Sequence, residues 1–409
     1  VSHPLLLHLL LRSLGGLRYA NIASLSAGLI ERVLEAPFTA SVSRLERFAA
    51  CPFSHYAEYL LGLDQRVEAE TNQVDLGQAC HAILEKFMAE LAEQRQRLAD
   101  LEDDDIAERV DRIAEAALPA LAADLALDDA RSEFLLDRSR GHLTRVTRWQ
   151  RDFARRGRFR PAAVEFAFGY RRRPDAMVRL RTPKGREVLL RGRIDRVDVA
   201  ELADDMLGLV IDYKRAGDRR LSLAHVYHGL SLQLVGYLLA LRQVGRSLAG
   251  REIRPVAALY LPLLEPFQSV SHPDDTKAQT YQCHGIIDAS AIEAIDDRVQ
   301  PGAGRSEYVS AAINKDGQCS KNSDLVERSE LTALISHVER RMGELADKLI
   351  DGDVAVAPYR IHRQMPCGYC PFAAVCRFEI ETQYPRLLEG MKPREALRRV
   401  VEENSGRAG

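Results

Sequence analysis

The stretches 188–199 and 206–213 are strand candidates separated by a polar turn at 203–205, a spacing that predicts an antiparallel pair. A third run, 164–170, precedes them, so the pattern predicts a three-strand meander. A helix over about 222–244 and a strand over 256–261 follow, which places helices against a mixed sheet in an α/β fold. Helical periodicity returns at Leu331, Leu334, Ile335, Val338, Met342, Leu345 and Leu349 and stops at Gly352, a residue suited to a helix C-terminus.

Upstream, residues 1 to about 40 read as apolar helix turns ending near Pro37, after which Ser41 and Ser43 offer caps to a new helix with Leu45, Phe48 and Ala49 on its apolar face. From 77 to about 94, Ala79, Ile83, Phe87 and Leu91 recur every four residues, giving an amphipathic helix with His81 on the apolar side. Residues 99–134 are acidic and alanine-rich, with a break expected at Pro119, and read as a solvated helical insertion. The composition then inverts: 138–196 holds 19 lysines and arginines against five acids. By itself that stretch reads as well as a set of solvated faces, and its position beside the acidic motifs described below points to DNA backbone contact.

Over all 409 residues the excess vanishes, with 57 basic and 59 acidic side chains, so any nucleic-acid surface is local. Hydrophobic content of 46% and charged content of 28% exclude a wholly disordered or fibrous chain. The apolar run 5–11 is interrupted by His8 and falls far short of the roughly 20 residues of a spanning helix. It lacks the flanks of a secretory signal, and seven cysteines, an odd number, argue against a disulfide framework, so a reducing cytoplasm is expected. The opening valine predicts a piece cut from a longer polypeptide.

Asp195 ends Gly192-Arg-Ile-Asp195 on one predicted strand, and Asp212-Tyr213-Lys214 ends the next. Residues two apart on a strand share a face, so Asp212 and Lys214 point together and Tyr213 points away. Paired carboxylates are hard ligands suited to magnesium, and a lysine beside them offsets charge growing on a phosphodiester. His81 adds a nitrogen donor, although a histidine on an apolar face is often only a core residue. Gln233 and Tyr237, four apart on the following helix, share a face and can hold a DNA strand or the lysine.

A second constellation is Cys367-x2-Cys370-x5-Cys376, with Cys51 as a fourth thiol in Cys51-Pro-Phe, echoed by Cys370-Pro-Phe. Four thiolates suit tetrahedral zinc or an iron–sulfur cluster, and spacing alone slightly favours zinc.

The chain resembles the C-terminal nuclease region of the AddB subunits of bacterial AddAB helicase-nucleases, in the RecB-like branch of the PD-(D/E)xK superfamily. The resemblance covers about 41–385 and rests on Ser41-Val-Ser-Arg-Leu-Glu-Arg-Phe-Ala-Ala-Cys-Pro-Phe53, Gly77-x3-His81, Gly192-Arg-Ile-Asp195, Ile211-Asp-Tyr-Lys214, Gly229-Leu-Ser-Leu-Gln-Leu-Val-Gly-Tyr237 and the span from Cys367 to Phe378. It implies a PD-(D/E)xK core with a helical insertion and an iron–sulfur staple, in which Cys51, Cys367, Cys370 and Cys376 bind a [4Fe-4S] cluster in place of zinc. It further implies that His81, Asp195, Asp212 and the carbonyl of Tyr213 hold Mg2+ or Mn2+, with Asp195, Asp212 and Lys214 catalytic and Gln233 and Tyr237 supporting. The implied function is a single-strand deoxyribonuclease, cutting the strand with the 5′ end, within a complex that processes double-strand breaks for recombinational repair. Its partners are DNA and an AddA-type subunit.

The corresponding division is a helical remnant of a helicase-like region at 1–40, a nuclease domain at 41–385 and a C-terminal tail at 386–409. No Gly-x4-Gly-Lys-Ser/Thr phosphate loop occurs in these residues, so unwinding is expected of the partner. The alternative is a catalytically silent scaffold that clamps DNA.

Overall fold

The computed structural model describes residues 3–17, 23–64, 73–124, 129–202, 205–214, 220–263, 281–300, 304–381 and 383–406. Helices α1 (Pro4–Leu17) and α2 (Ala27–Val33) lead into strand β1 (Phe38–Ser41), α3 (Val42–Ala50) and α4 (Pro52–His55). Ser41 caps α3 by accepting the Arg44 N–H at 3.1 Å. Three long helices, α5 (Gln73–Gln94), α6 (Asp103–Asp124) and α7 (Asp129–Ala154), precede β2 (Arg160–Phe168), β3 (Val178–Arg181), β4 (Glu187–Leu202) and β5 (Asp205–Lys214). Then come α8 (Leu223–His228), α9 (Gln233–Ala249), β6 (Arg254–Pro262), β7 (His284–Asp288) and α10 (Ile292–Ile295). Two short strands, β8 (Gly304–Arg305) and β9 (Ala312–Ile313), pair with each other, and β10 (Leu325–Val326) rejoins the main sheet. The chain ends with α11 (Arg328–Ile350), β11 (Tyr359–Arg360), α12 (Ala373–Cys376), β12 (Arg386–Leu387) and α13 (Pro393–Ser405).

The main sheet has eight strands in the order β1-β4-β5-β6-β7-β10, with β2 and β3 on the other edge of β4. β2, β4 and β5 form the antiparallel meander, whose turn at 203–204 lies outside the described residues. β6 lies parallel to β5, reached by the α8–α9 crossover. Side chains alternate along β5: Met206 and Val210 enter a core with α3, α9 and α11, while Leu207, Leu209, Ile211 and Tyr213 enter a second core with α5, α6 and α7. The mixed sheet is therefore covered by helices on both faces, the expected α/β architecture.

Four local features depart from expectation. The single helix expected at 222–244 is two, because Gly229 takes a left-handed conformation (φ 82°) that ends α8 and lets α9 begin at Gln233. α6 continues through Pro119, and the chain between α6 and α7 lies outside the described residues. The stretch 386–409, expected as a tail, carries α13, whose Ala396, Leu397 and Val400 are buried and which packs on α11. The sheet also begins ahead of residue 41, since β1 pairs in parallel with 188–191 of β4.

Part of the basic stretch is paired with acids within the fold. α7 lies beside acidic α6, and Arg140 pairs with Glu115, Arg148 with Asp103, Arg151 with Asp103 and Arg155 with Glu102. Arg196 is buried in a two-pronged pair with Asp198. Acidic α6 thus packs beside α7, which holds 138–154 of the basic stretch.

Candidate active site

The site is built at a fork in the sheet. β4 and β5 pair only as far as Arg196 opposite Ile211, yet β5 runs on along β6 to Lys214 opposite Pro262. On that edge of β4 the next neighbour is β1, at 188–191. Gly192-Arg-Ile-Asp195 therefore spans the opening, and Asp195 and Asp212 flank the point where the strands part. The Tyr213 N–H, beyond the end of the β4–β5 ladder, donates instead to Asp195 Oδ2 at 2.8 Å.

His81 on α5 brings Nε2 to 3.4 Å from Asp195 Oδ2. That contact raises the imidazole pKa from its ordinary value, against the opposing effect of burial. A third donor joins them: ligand atoms of His81, Glu165 and Asp195 all lie within 4.8 Å of one another. Sequence reasoning does not single out Glu165. On β2 the ladder pairs Val164 with Arg196 and Phe166 with Ile194, skipping Glu165 and Asp195 between them. Glu165 there has φ 49°, a conformation uncommon outside glycine, and its Oε2 accepts from Arg193 at 2.9 Å. An acid on a strand expected to pair with the Asp195 strand is the signal that could have found it.

Asp212 is buried and, rather than joining that trio, forms an ion pair with Lys214. Lys214 Nζ donates to Gln233 Oε1 at 3.5 Å, and Gln233 Nε2 donates to the Tyr237 hydroxyl at 2.8 Å. Tyr213 points to the opposite face, its ring edge-on to His81 and its phenol pushed up to about 12 by burial. Two carboxylates and an imidazole form a donor set that fits a hard divalent cation, and a lysine held by a carboxylate and an amide stands beside it.

The same chain, over residues 39–377, matches the family described as the PD-(D/E)XK nuclease superfamily. It belongs to that superfamily. It is 35% identical over 372 residues to an ATP-dependent helicase/deoxyribonuclease subunit of Symbiobacterium thermophilum, covering 88% of this chain and 31% of that protein. The protein of the same name from Desulforudis audaxviator is 34% identical over 397 residues, 94% of this chain and 34% of the relative. The chain thus spans about a third of the length of the curated relatives it matches. No described helix is long and apolar enough to cross a membrane.

The four candidate cluster cysteines form no disulfide. Cys51 is buried at the end of α3, and Cys370 Sγ lies 3.8 Å from Ser54 Oγ. Burial first, and then the nearby Cys51, Cys370 and Cys376, push the Cys367 thiol up to about 11. Burial also raises Cys51, opposed by backbone hydrogen bonds from Ser54, Ala357 and Phe53. Among the described residues no three of these sulfurs lie within 4.8 Å of one another.

Proposed function

We propose that this chain is the metal-dependent deoxyribonuclease module of a cytoplasmic helicase-nuclease, a single-strand exonuclease that processes double-strand breaks for recombinational repair. The convergence of His81, Glu165 and Asp195 at the fork, with the Asp212–Lys214 pair across it, is the observation that carries this reading. His81, Asp195, Asp212 and the Tyr213 carbonyl, joined by Glu165 beside His81 and Asp195, are assigned to hold Mg2+ or Mn2+, which when bound supplies Lewis acidity toward a phosphodiester. Lys214 offsets the charge that grows on the phosphate, and Gln233, steadied by Tyr237, keeps the ammonium aimed at that charge.

Cys51, Cys367, Cys370 and Cys376 are assigned to a [4Fe-4S] cluster. Four cysteines are the usual ligand set for such a cluster, and the electrostatic influence of three of them on Cys367 supports a shared neighbourhood. A cluster there would join α3 to the region before α13. The relatives' name couples a helicase to a deoxyribonuclease, which supports DNA and an AddA-type motor as partners.

The test is cleavage of end-labelled single-stranded DNA by the purified protein with Mg2+, Mn2+ or a chelator. Cleavage that needs the metal and is lost in Asp212→Ala supports the reading. DNA binding without cleavage under every metal, alone and with the motor partner, would instead make the chain a clamp.

A further inference from the structure

The amide of Gln233 reaches Lys214 only because α9 starts where it does, and nothing on α9 itself fixes that start. Its N-cap residue is Leu232, whose side chain cannot accept a hydrogen bond. The first N–H groups of a helix have no partner within the helix, and a capping residue normally satisfies one of them. Here the acceptor comes from another helix: Glu46 Oε1, on α3, accepts the Leu232 N–H at 2.5 Å and the Gln233 N–H at 2.9 Å. A carboxylate is favoured at this end of a helix by the macrodipole.

One turn earlier on α3, Val42 packs against α9 at Gly236, where an added Cβ would stand 3.4 Å from Val42 Cγ2. Val42 and Glu46 are four apart, so one face of α3 both packs against α9 and caps it. Glu46 also lies near enough to the site for its charge to help raise the Tyr237 phenol, after burial, Asp212 and Asp195.

We infer that Glu46 is a positioning residue for the nuclease: by capping α9 across 187 residues of sequence it sets where Gln233 stands, and through Gln233 the angle at which Lys214 meets the phosphate. The inference rests on the proposed nuclease reading and extends it to a residue that touches neither DNA nor metal. The acceptor oxygen matters more than the charge, because a neutral amide oxygen in the same place still accepts both N–H groups.

The experiment compares the parent with Glu46→Ala, Glu46→Gln, Gln233→Ala and the Glu46→Ala/Gln233→Ala double variant. Each is measured for metal-dependent cleavage of labelled single-stranded DNA, thermal midpoint, and the crystallographic position of Gln233. Glu46→Ala lowers kcat by about tenfold to a hundredfold, as a misplacement of about 1 Å does, with KM for DNA little changed from the parent. Glu46→Gln recovers most of the loss. The double variant is no slower than Gln233→Ala, because both changes act through one amide.

Additive losses in the double variant, or a Glu46→Ala protein as fast as the parent, overturn the inference. So does a loss that follows the thermal midpoint alone and is not recovered by Glu46→Gln. If the parent cleaves no DNA under any metal, the nuclease reading fails by itself. The crystal structure of Glu46→Ala then still decides the cap: a displaced Gln233 supports it and an unmoved one refutes it.

Discussion

Asp195 accepts the backbone N–H of Tyr213 at 2.8 Å across the point where their strands part. The carboxylate does for β5 what the ladder has ceased to do, satisfying a main-chain donor beyond the last paired residues. The same oxygen faces His81, so one side chain fixes the strand end and presents a ligand.

The Asp212–Lys214 pair gives the most direct prediction. Asp212→Ala removes the anion that holds the ammonium, and Lys214→Ala removes the ammonium itself. Each should slow cleavage by about a hundredfold or more, with DNA affinity changed little because phosphate contacts elsewhere supply most of it. Single-turnover cleavage and a binding titration on the same samples check this. Undiminished cleavage by Asp212→Ala would remove the site from consideration.

What the sequence can show here depends on range. Period-two apolar runs mark β2, β4 and β5, and simple alternation puts Asp212 and Lys214 on one face with Tyr213 on the other. The four-residue spacing of Gln233 and Tyr237 likewise becomes a hydrogen bond. Glu165 is not legible because its role depends on register against Asp195, a relation between strands that no local pattern states. The basic stretch looks more like a free surface than it is for a similar reason: the acids that neutralise Arg140, Arg148, Arg151 and Arg155 lie in α6 or the residue before it, far back in the chain. In α13, Ala396, Leu397 and Val400 do have helical spacing, but only α11 opposite shows that this face is buried.

Glu165 predicts a separation of metal binding from stability. Glu165→Gln should weaken Mn2+ binding by about tenfold or more, the scale on which ligand-supporting groups act, and calorimetry reads this without any cleavage. At φ 49° a β-branched side chain is strained, so Glu165→Val should also lose about 1–3 kcal/mol of stability. Glu165→Gly should lose metal affinity while its thermal midpoint holds nearer the parent. A glycine variant that unfolds as readily as the valine variant would show that the conformation at 165 carries no strain.

Two buried histidines set an acid limit on stability. Burial pushes His337 down to about 4 and His55 to about 3. His337 Nε2 meets the Tyr227 carbonyl at 3.1 Å, and its Nδ1 faces Arg340. The unfolded chain takes up these protons near pH 6.5 and the folded chain resists until lower pH, so stability is fully present above 6.5 and falls as the pH drops toward 4. For His337 alone the loss reaches about 3 kcal/mol. Urea midpoints between about pH 7.5 and about pH 4.5, a window that brackets most of this titration, should fall less steeply in His337→Gln than in the parent; parallel curves would show that His337 is not the group responsible.

The cysteines separate a cluster from zinc and test the reach of the staple. Protein purified without oxygen should be brown and carry about four irons per chain; a colourless protein with one zinc would exclude the cluster. Cys51 follows α3 and the other three follow β11, so loss of the centre should free both regions together. Cys51→Ala should therefore match Cys370→Ala in losing iron and thermal stability, although neither residue lies in the His81–Glu165–Asp195 trio. Cys80, Cys283 and Cys319 are the controls. Cys80 and Cys283 are buried in the second core, with Cys319 packed against it. Their replacement by serine or alanine should leave the iron content unchanged. If Cys51→Ala keeps its iron while Cys283→Ala or Cys319→Ala loses it, the fourth ligand is not Cys51 and α3 is not tied to the C-terminal cysteines through a metal.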